Sequence, residues 1–557
     1  METVRRALLP LGLTLVVLPL FFWELLKGQA QIAEDLKTLS PIFLDIGFGV
    51  FVVLAVFALK PALKPFAALS RIDRILLAGV VLLSFALAFF VAPKTHRIYY
   101  DENIYLHIGQ SIASNHRAEM VNFGEIRDGR LVVSRAEYNK QPNAYSYLLS
   151  LCYRIFGRSE NLSFFVNNVI FALSSLVLFG IGYLLAGSSR VGLAAAAVFA
   201  VIPQNILWHN TTSAEPANVL FISLTVFFFL AFLKTGRTRL FFLAVTTACL
   251  AAQFRLESIL VLPLLGIFAY LEAPKKIDSR RLFFALPLAA VLLFSHALHI
   301  LVFQAHAWGA SQDKLSVFFV RHNLQTNGLF FLDNKDFPLI LTLAAAGAFV
   351  FRKLFKEKLM LLFWFFLFWG VFLFFYAGSY YYGADVRFAL MAFPPLGLLA
   401  GMGLSRFEER IAKALKIRIP LAALLVAAAF FMFLPKSRAV GEEAWAARAD
   451  HLWAKVMSDS LPPQSIIFTH NPNMFLFWGK SAAQASILAE KDEKGLAELM
   501  ARFPGGVFFH YNFWCNVDDP LQRTFCRNIL DKFAHKDVLK FQERTYAYIL
   551  YRLGGPS

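Results

Sequence analysis

Residues 98–105, "IYYDENIY", set two adjacent carboxylates, Asp101 and Glu102, where the chain first leaves a long apolar region. The apolar run before them ends at 92, nine residues ahead of Asp101, and the next does not begin until 162. Ionisable groups close to a bilayer are costly and are functional candidates by default. A general base for chemistry at the membrane surface is one reason to place carboxylates there. A helix N-terminus, whose dipole favours negative charge, is another. The choice turns on which side the segment faces and on what arrives beside it.

The surrounding composition excludes a soluble globular protein. Of 557 residues, 58% are hydrophobic, 61 are Phe and only 16% are charged. Apolar runs repeatedly reach the roughly 17–25 residues that span a bilayer. A net charge of +17 would suit nucleic acid in a soluble chain. In a membrane chain the excess Lys and Arg belongs to cytoplasmic loops and sets orientation, so no nucleic-acid partner is expected.

Thirteen crossings are expected, at 7–26, 42–61, 74–92, 162–187, 191–208, 216–233, 240–254, 257–271, 282–303, 337–351, 359–377, 387–404 and 418–435. Arg5-Arg6 precede the first run, which lacks a small-residue cleavage pattern and reads as an anchor with a cytoplasmic N-terminus. Alternate loops are basic, from Lys60/Lys64/Arg71/Arg74 through Lys275/Lys276/Arg280/Arg281 to Arg406/Arg410/Lys413/Lys416. That parity is cytoplasmic. The opposite parity holds the loop 93–161, "WHNTTSAEP", the Arg255/Glu257 turn, "GSYYYGADVR" and the C-terminal tail, all facing outward.

The expected fold class is an α-helical polytopic membrane protein with a small C-terminal α/β extracytoplasmic domain. Residues 1–435 form the transmembrane domain, including the outer loop 93–161 with amphipathic helices, and 436–557 form the outer domain. In the latter, "SIIFTH", "GVFFHYN" and "TYAYILYRL" read as strands, and "EKGLAELMARF" and "DPLQRTFCRNILDKFAHK" as helices. Cys515 and Cys526 lie close together there and form a disulfide candidate if the domain is exported, with no His spaced for a zinc site. Cys152 and Cys249 sit in apolar context and read as core.

Every polar candidate for chemistry falls on the outer side. These are Asp101, Glu102, Tyr105 and Lys140 in the first loop, Glu215 before span six, Arg255 and Glu257 after span seven, and Tyr382, Asp385 and Arg387 before span twelve. Each has a plainer role available. Glu215 ahead of Pro216 suits a helix first turn, Arg255 and Glu257 a local ion pair, and Lys140 a snorkelling cation. His296 and His299 suit a core better than a metal site.

The order of the segments adds a further indication. "DENIYLHIGQSIA" (101–113), "YNKQPNAYSYLLSLCYRIFGRSE" (138–160) and "FFVNNVIFALSSLVLFGIGYLLAG" (164–187) follow one another. "RLESIL" (255–260) and "DVRFALMAFPPLGLLAG" (385–401) come later. This set, spanning 95–405, resembles membrane glycosyltransferases of the GT-C superfamily, in the protein O-mannosyltransferase-like and lipid A aminoarabinose transferase branch. Departures include "KQP" for the relatives' "KPP", Glu215 where many have Asp, and two extra helices ahead of the first loop.

The resemblance implies a polyprenyl-phosphate sugar donor, a glycan, lipid or protein acceptor, and an inverting single displacement on the outer face of a bilayer, as in a bacterial inner membrane. Asp101 would be the base, with Glu102 and Glu215 positioning the acceptor or sharing that role. Lys140, Arg255 and Arg387 would stabilise the leaving phosphate, and Tyr105, Glu257, Tyr382 and Asp385 would line the substrate site. No cofactor is assigned. Carboxylates in this number leave room for a divalent metal, though no ligand spacing demands one. A transporter or flippase of a lipid-linked saccharide is the alternative. It predicts paired repeats with interrupted helices, which the sequence does not display.

Overall fold

The computed structural model describes residues 2–272, 276–304, 313–334, 337–380, 386–417, 419–443 and 445–554. Three long helices open the chain: α1 (Glu2–Leu25), α2 (Gln29–Ala67) and α3 (Arg71–Ala86). The 93–161 loop contributes α4 (Tyr99–Asn115), a hairpin of β1 (Met120–Arg127) and β2 (Arg130–Glu137), and α5 (Ala144–Phe156). Then follow α6 (Glu160–Ala186), α7 (Ser189–Ala200), α8 (Pro203–Trp208), α9 (Glu215–Thr235), α10 (Thr238–Phe254), α11 (Val261–Glu272), α12 (Ser279–Leu292) and α13 (Phe294–Gln304). The helical region ends with α14 (Val320–Phe330), α15 (Leu339–Gly347), α16 (Phe355–Phe374), α17 (Phe393–Leu415) and α18 (Leu421–Glu443).

Among the described residues, six helices are long and apolar enough to cross a membrane, and the bent pair α12–α13 makes a seventh. The other six expected crossings are helical, but their described apolar stretches are shorter or interrupted, so length and composition do not yield thirteen. Local chemistry accounts for several of the interruptions. Arg255 leaves α10 in extended backbone, and Pro203 restarts the chain as the separate helix α8. The 52° bend between α12 and α13 exposes a carbonyl at Leu292, and the buried Gln253 amide donates to it at 2.9 Å.

Glycines let two helices approach a third closely. A Cβ at Gly401 of α17 would lie 2.6 Å from the Ala195 nitrogen of α7, and one at Gly192 of α7 would lie 2.6 Å from the Phe179 oxygen of α6. No side chain fits at either place, which is how small residues bring membrane helices together.

The C-terminal region begins with α19 (Trp445–Ser460) and continues through β3 (Ser465–Thr469), α20 (Pro472–Phe477), β4 (Ser481–Gln484), α21 (Ala485–Ala489) and α22 (Glu493–Arg502). It ends with β5 (Gly506–Tyr511), α23 (Phe513–Asn516), α24 (Pro520–Lys532), β6 (His535–Glu543) and β7 (Tyr546–Leu553). The sheet runs β2-β1-β4-β3-β5-β7-β6, with β3 parallel to both neighbours and the remaining pairs antiparallel. Period-two burial divides its faces. Ile466 and Phe468 meet Leu496, Leu499 and Ile529 on one side, whereas Ile467 and Phe508 meet Met457, Phe475 and Tyr99 on the other.

Two of these strands come from the 93–161 loop, so the sheet reaches across the sequence boundary at 435. Their turn is Asp128-Gly129, both with positive φ (49° and 73°), the Asp-Gly pairing that two-residue hairpins favour.

Cys515 and Cys526 are joined by a disulfide. Both are buried in the core, Cys526 on α24 itself. Closing a loop of this size stabilises by about 3 kcal/mol in the chain-entropy account. Replacing both cysteines with serine should lower the unfolding stability of the C-terminal region by about that amount, readable in its proteolysis in denaturant. An unchanged profile would contradict the estimate.

Candidate active site

Asp101 and Glu102 both lie in the first turn of α4, but consecutive helical residues point about 100° apart, and their surroundings diverge. Glu102 is fully buried. Its Oε1 accepts from the Ile98 N–H at 2.9 Å, and its Oε2 accepts from the Thr212 N–H and hydroxyl at 2.8 and 2.9 Å. His96 Nδ1 lies 3.2 Å from the same Oε2. Burial would raise this carboxyl's pKa, but the His96 contact and the two backbone N–H groups outweigh it and hold the pKa below the usual range. Both oxygens are therefore engaged in fastening α4 to the 212 loop. The expectation for Glu102 is to position the acceptor or share the base role; in the structure both its oxygens are taken up by these contacts.

Asp101 faces the other way. Its side chain keeps 25% of its exposure, and its Oδ2 lies 3.4 Å from Arg387 Nη1.

The second carboxylate, Glu215, opens α9 ahead of Pro216, where the helix dipole favours it. It is positioned by a wholly buried loop, His209–Ser213. Two asparagines of α6 pin that loop. Asn167 donates to the carbonyls of Thr211 and Ser213 at 2.9 and 3.0 Å, and Asn168 donates to His209 O at 2.7 Å. Buried backbone carbonyls need such partners. Asn167→Ala strips two of them and should cost about 1–3 kcal/mol in thermal stability. An unchanged melting profile would show that the loop holds itself.

Arg255 and Glu257 lie at the break after α10, where Arg255 caps the helix in extended backbone and Glu257 falls in the short 3-10 turn Leu256–Leu260. Arg255 Nη1 meets Glu215 Oε1 at 2.9 Å, and its Nε meets Glu257 Oε1 at 2.9 Å. Arg387 Nη1 reaches the same Glu215 oxygen at 3.7 Å, so it lies between Asp101 and Glu215. Both guanidinium groups stand over Phe388, at 5.5 and 5.1 Å from its centroid. The chain approaching Arg387 is fixed by Asn323, whose amide donates to three carbonyls at the end of α16, and by Asn327, which accepts from the Tyr380 N–H at 2.8 Å. Tyr105 is buried one turn along from Asp101. Burial, with Asp101 and Glu215 close by, pushes its phenol well above the usual range, so it stays protonated.

Of the expected site residues, the structure thus gathers Asp101, Glu215, Arg255, Glu257 and Arg387, with Tyr105 beside them. Lys140 stands apart. It is exposed, and among the described residues it makes no ion pair with this group. Its neighbour is Lys314, whose ammonium pKa is lowered by burial and by Lys140. Tyr382 and Asp385 lie outside the described residues. Sequence reasoning missed His96, Thr212, Phe388 and the pinning role of Asn167 and Asn168.

The cluster carries three carboxylates against two guanidinium groups. One carboxylate, Asp101, opens toward solvent with a cation at its back. Such a site can accept a proton on one side and neutralise developing negative charge on the other.

A family model described as dolichyl-phosphate-mannose-protein mannosyltransferase matches residues 140–299, a stretch that includes Glu215, Arg255 and Glu257. No curated protein sequence matches the chain. Among solved structures, the chain is similar to ArnT from Cupriavidus metallidurans bound to undecaprenyl phosphate, with TM-score 0.52 and 13% identity over 87% of this chain and 99% of that one. The apo form of the same protein gives TM-score 0.51 and 14% identity over the same shares. The Archaeoglobus fulgidus oligosaccharyltransferase tethered to an acceptor peptide gives 0.48 and 12%, over 86% and 74%. The resemblance to GT-C glycosyltransferases expected from the ordered motifs holds in both family model and fold. The chain is an integral, multi-pass membrane protein.

Proposed function

We propose that this chain, with its GT-C-like fold and mannosyltransferase-like family segment, transfers a sugar from a polyprenyl-phosphate donor to a cell-envelope acceptor at the outer membrane face. One observation carries the reading. Four segments far apart in sequence bring Asp101, Glu215, Arg255, Glu257 and Arg387 into one linked set of ion pairs at the first turn of α4. In ArnT the bound lipid is undecaprenyl phosphate, which fits a donor of the same chemistry here.

Asp101 takes the proton from the acceptor hydroxyl as the acceptor oxygen forms its bond to the anomeric carbon. The bond from that carbon to the donor's phosphate oxygen breaks, and the lipid phosphate leaves with the electron pair. Arg387 lies beside Asp101 and is oriented for the phosphate by Phe388 and Glu215. Arg255 holds Glu215 and Glu257 in place. A single displacement inverts the anomeric centre. The purified protein, given polyprenyl-phosphate-linked sugars, should release polyprenyl phosphate and form a product of opposite anomeric configuration by NMR. A product of retained configuration would contradict the mechanism.

A further inference from the structure

A second polar cluster lies on the other side of Glu102, and the transfer reading makes no use of it. His96 precedes α4, Glu160 is the first residue of α6, and His451 lies in α19. Their ligand atoms all fall within 4.8 Å of one another. The Nε2 atoms of both histidines converge on one oxygen, Glu160 Oε1, at 3.1 and 3.0 Å. We propose that His96, Glu160 and His451 form a zinc site that fastens the C-terminal domain to the membrane helices.

Three observations support it. The two nitrogen–oxygen spacings, 3.1 and 3.0 Å, are close to the edge of a tetrahedron about 3.3 Å long, which Zn–N and Zn–O bonds of about 2.0–2.1 Å would generate. Two imidazoles and a carboxylate are a ligand set that zinc accepts, with a fourth position left to water. His96 is also oriented from behind, because its Nδ1 lies 3.2 Å from Glu102 Oε2. A carboxylate behind a ligating histidine fixes its tautomer, with Nδ1–H on the carboxylate and the Nε2 lone pair toward the metal. A dication at this point would balance the charges of Glu102 and Glu160, with both Nε2 lone pairs turned toward it. Phe164 beside His96 and Trp478 beside His451, each 5.1 Å from its ring, supply an apolar wall.

The site joins three segments, two from the membrane region and one from the C-terminal domain. Its outer carboxylate is also the residue that fastens the first turn of α4, one position from Asp101. Zinc bound there makes His96 a positioning residue for that turn.

The test uses the full-length protein in detergent, stripped with chelator and titrated with Zn²⁺ or Co²⁺ alone. Elemental analysis should find about one zinc per chain, Co²⁺ should give the strong visible absorption of a tetrahedral site, and zinc should raise the thermal unfolding midpoint. His451→Ala should remove all three signals. Glu102→Gln should weaken the metal about 10–100-fold while leaving the ligands in place. Stripped wild-type protein that takes up no zinc overturns the proposal without reference to any variant. So does a His451→Ala protein that binds zinc as the wild type does.

Discussion

Replacing Asp101 with asparagine is expected to abolish sugar transfer while leaving the fold intact. The amide keeps the shape of the side chain and removes only its capacity to take a proton. A positioned base typically contributes about 10²–10⁴-fold in rate, so turnover should fall by that factor. Stability should barely change. Asp101 keeps a quarter of its exposure and pairs with Arg387 at 3.4 Å, and such partly solvated pairs contribute about 0–1 kcal/mol. Donor affinity should hold for the same reason, since Arg387 loses a competing carboxylate rather than a partner needed for its position. Turnover of the purified variant, set beside its melting temperature and donor binding, separates these effects. An Asp101→Asn protein with full transfer rate would remove Asp101 from the base role.

Arg255→Met is expected to fail differently. Arg255 pairs at 2.9 Å with two carboxylates, and Glu215 is almost wholly buried. Removing one partner of a buried pair leaves an uncompensated charge and costs about 3–5 kcal/mol. The remaining cation near Glu215 is Arg387, at 3.7 Å, already engaged with Asp101. A large drop in melting temperature should therefore accompany loss of transfer. Pairing the change with Glu215→Gln removes the stranded charge, so the double variant should melt above Arg255→Met alone. This non-additivity marks residues in one network. Strictly additive losses would mean that the two groups do not share their energy.

The sequence carried more of this arrangement than its composition suggests. Asp101, Glu215, Arg255 and Arg387 could be placed on one face because basic loops alternate with them along the chain. That face follows from electrostatics across a bilayer and needs no tertiary detail. The contacts of Glu102 were illegible for the opposite reason. Its fate is decided by Thr212 and His96, and no local pattern announces a contact across 110 residues. Lys140 was grouped with the other cations by motif order, whereas the fold sets it beside Lys314.

The shape of the C-terminal sheet was legible in part. β3, β5 and β7 are apolar and buried, so they stand out as strands. β6 is an edge strand of mostly exposed, polar residues and gives little signal. The β1–β2 hairpin did leave a local mark in Asp128-Gly129, but it lies in a segment read only for helices. Helix lengths were the least legible feature. The bend after Leu292 is supported by the buried Gln253 side chain, which takes up the Leu292 carbonyl from 39 residues away in sequence.

The most direct test of the central claim is mass spectrometry of envelope glycans from cells with the gene deleted, complemented by wild type or by Asp101→Asn. Transfer by this chain predicts one sugar missing from one glycan in the deletion, restored by wild type and not by Asp101→Asn. Unchanged glycans in the deletion, or full restoration by Asp101→Asn, would contradict it, and lipid-linked sugar stranded on the cytoplasmic side would point to a flippase instead.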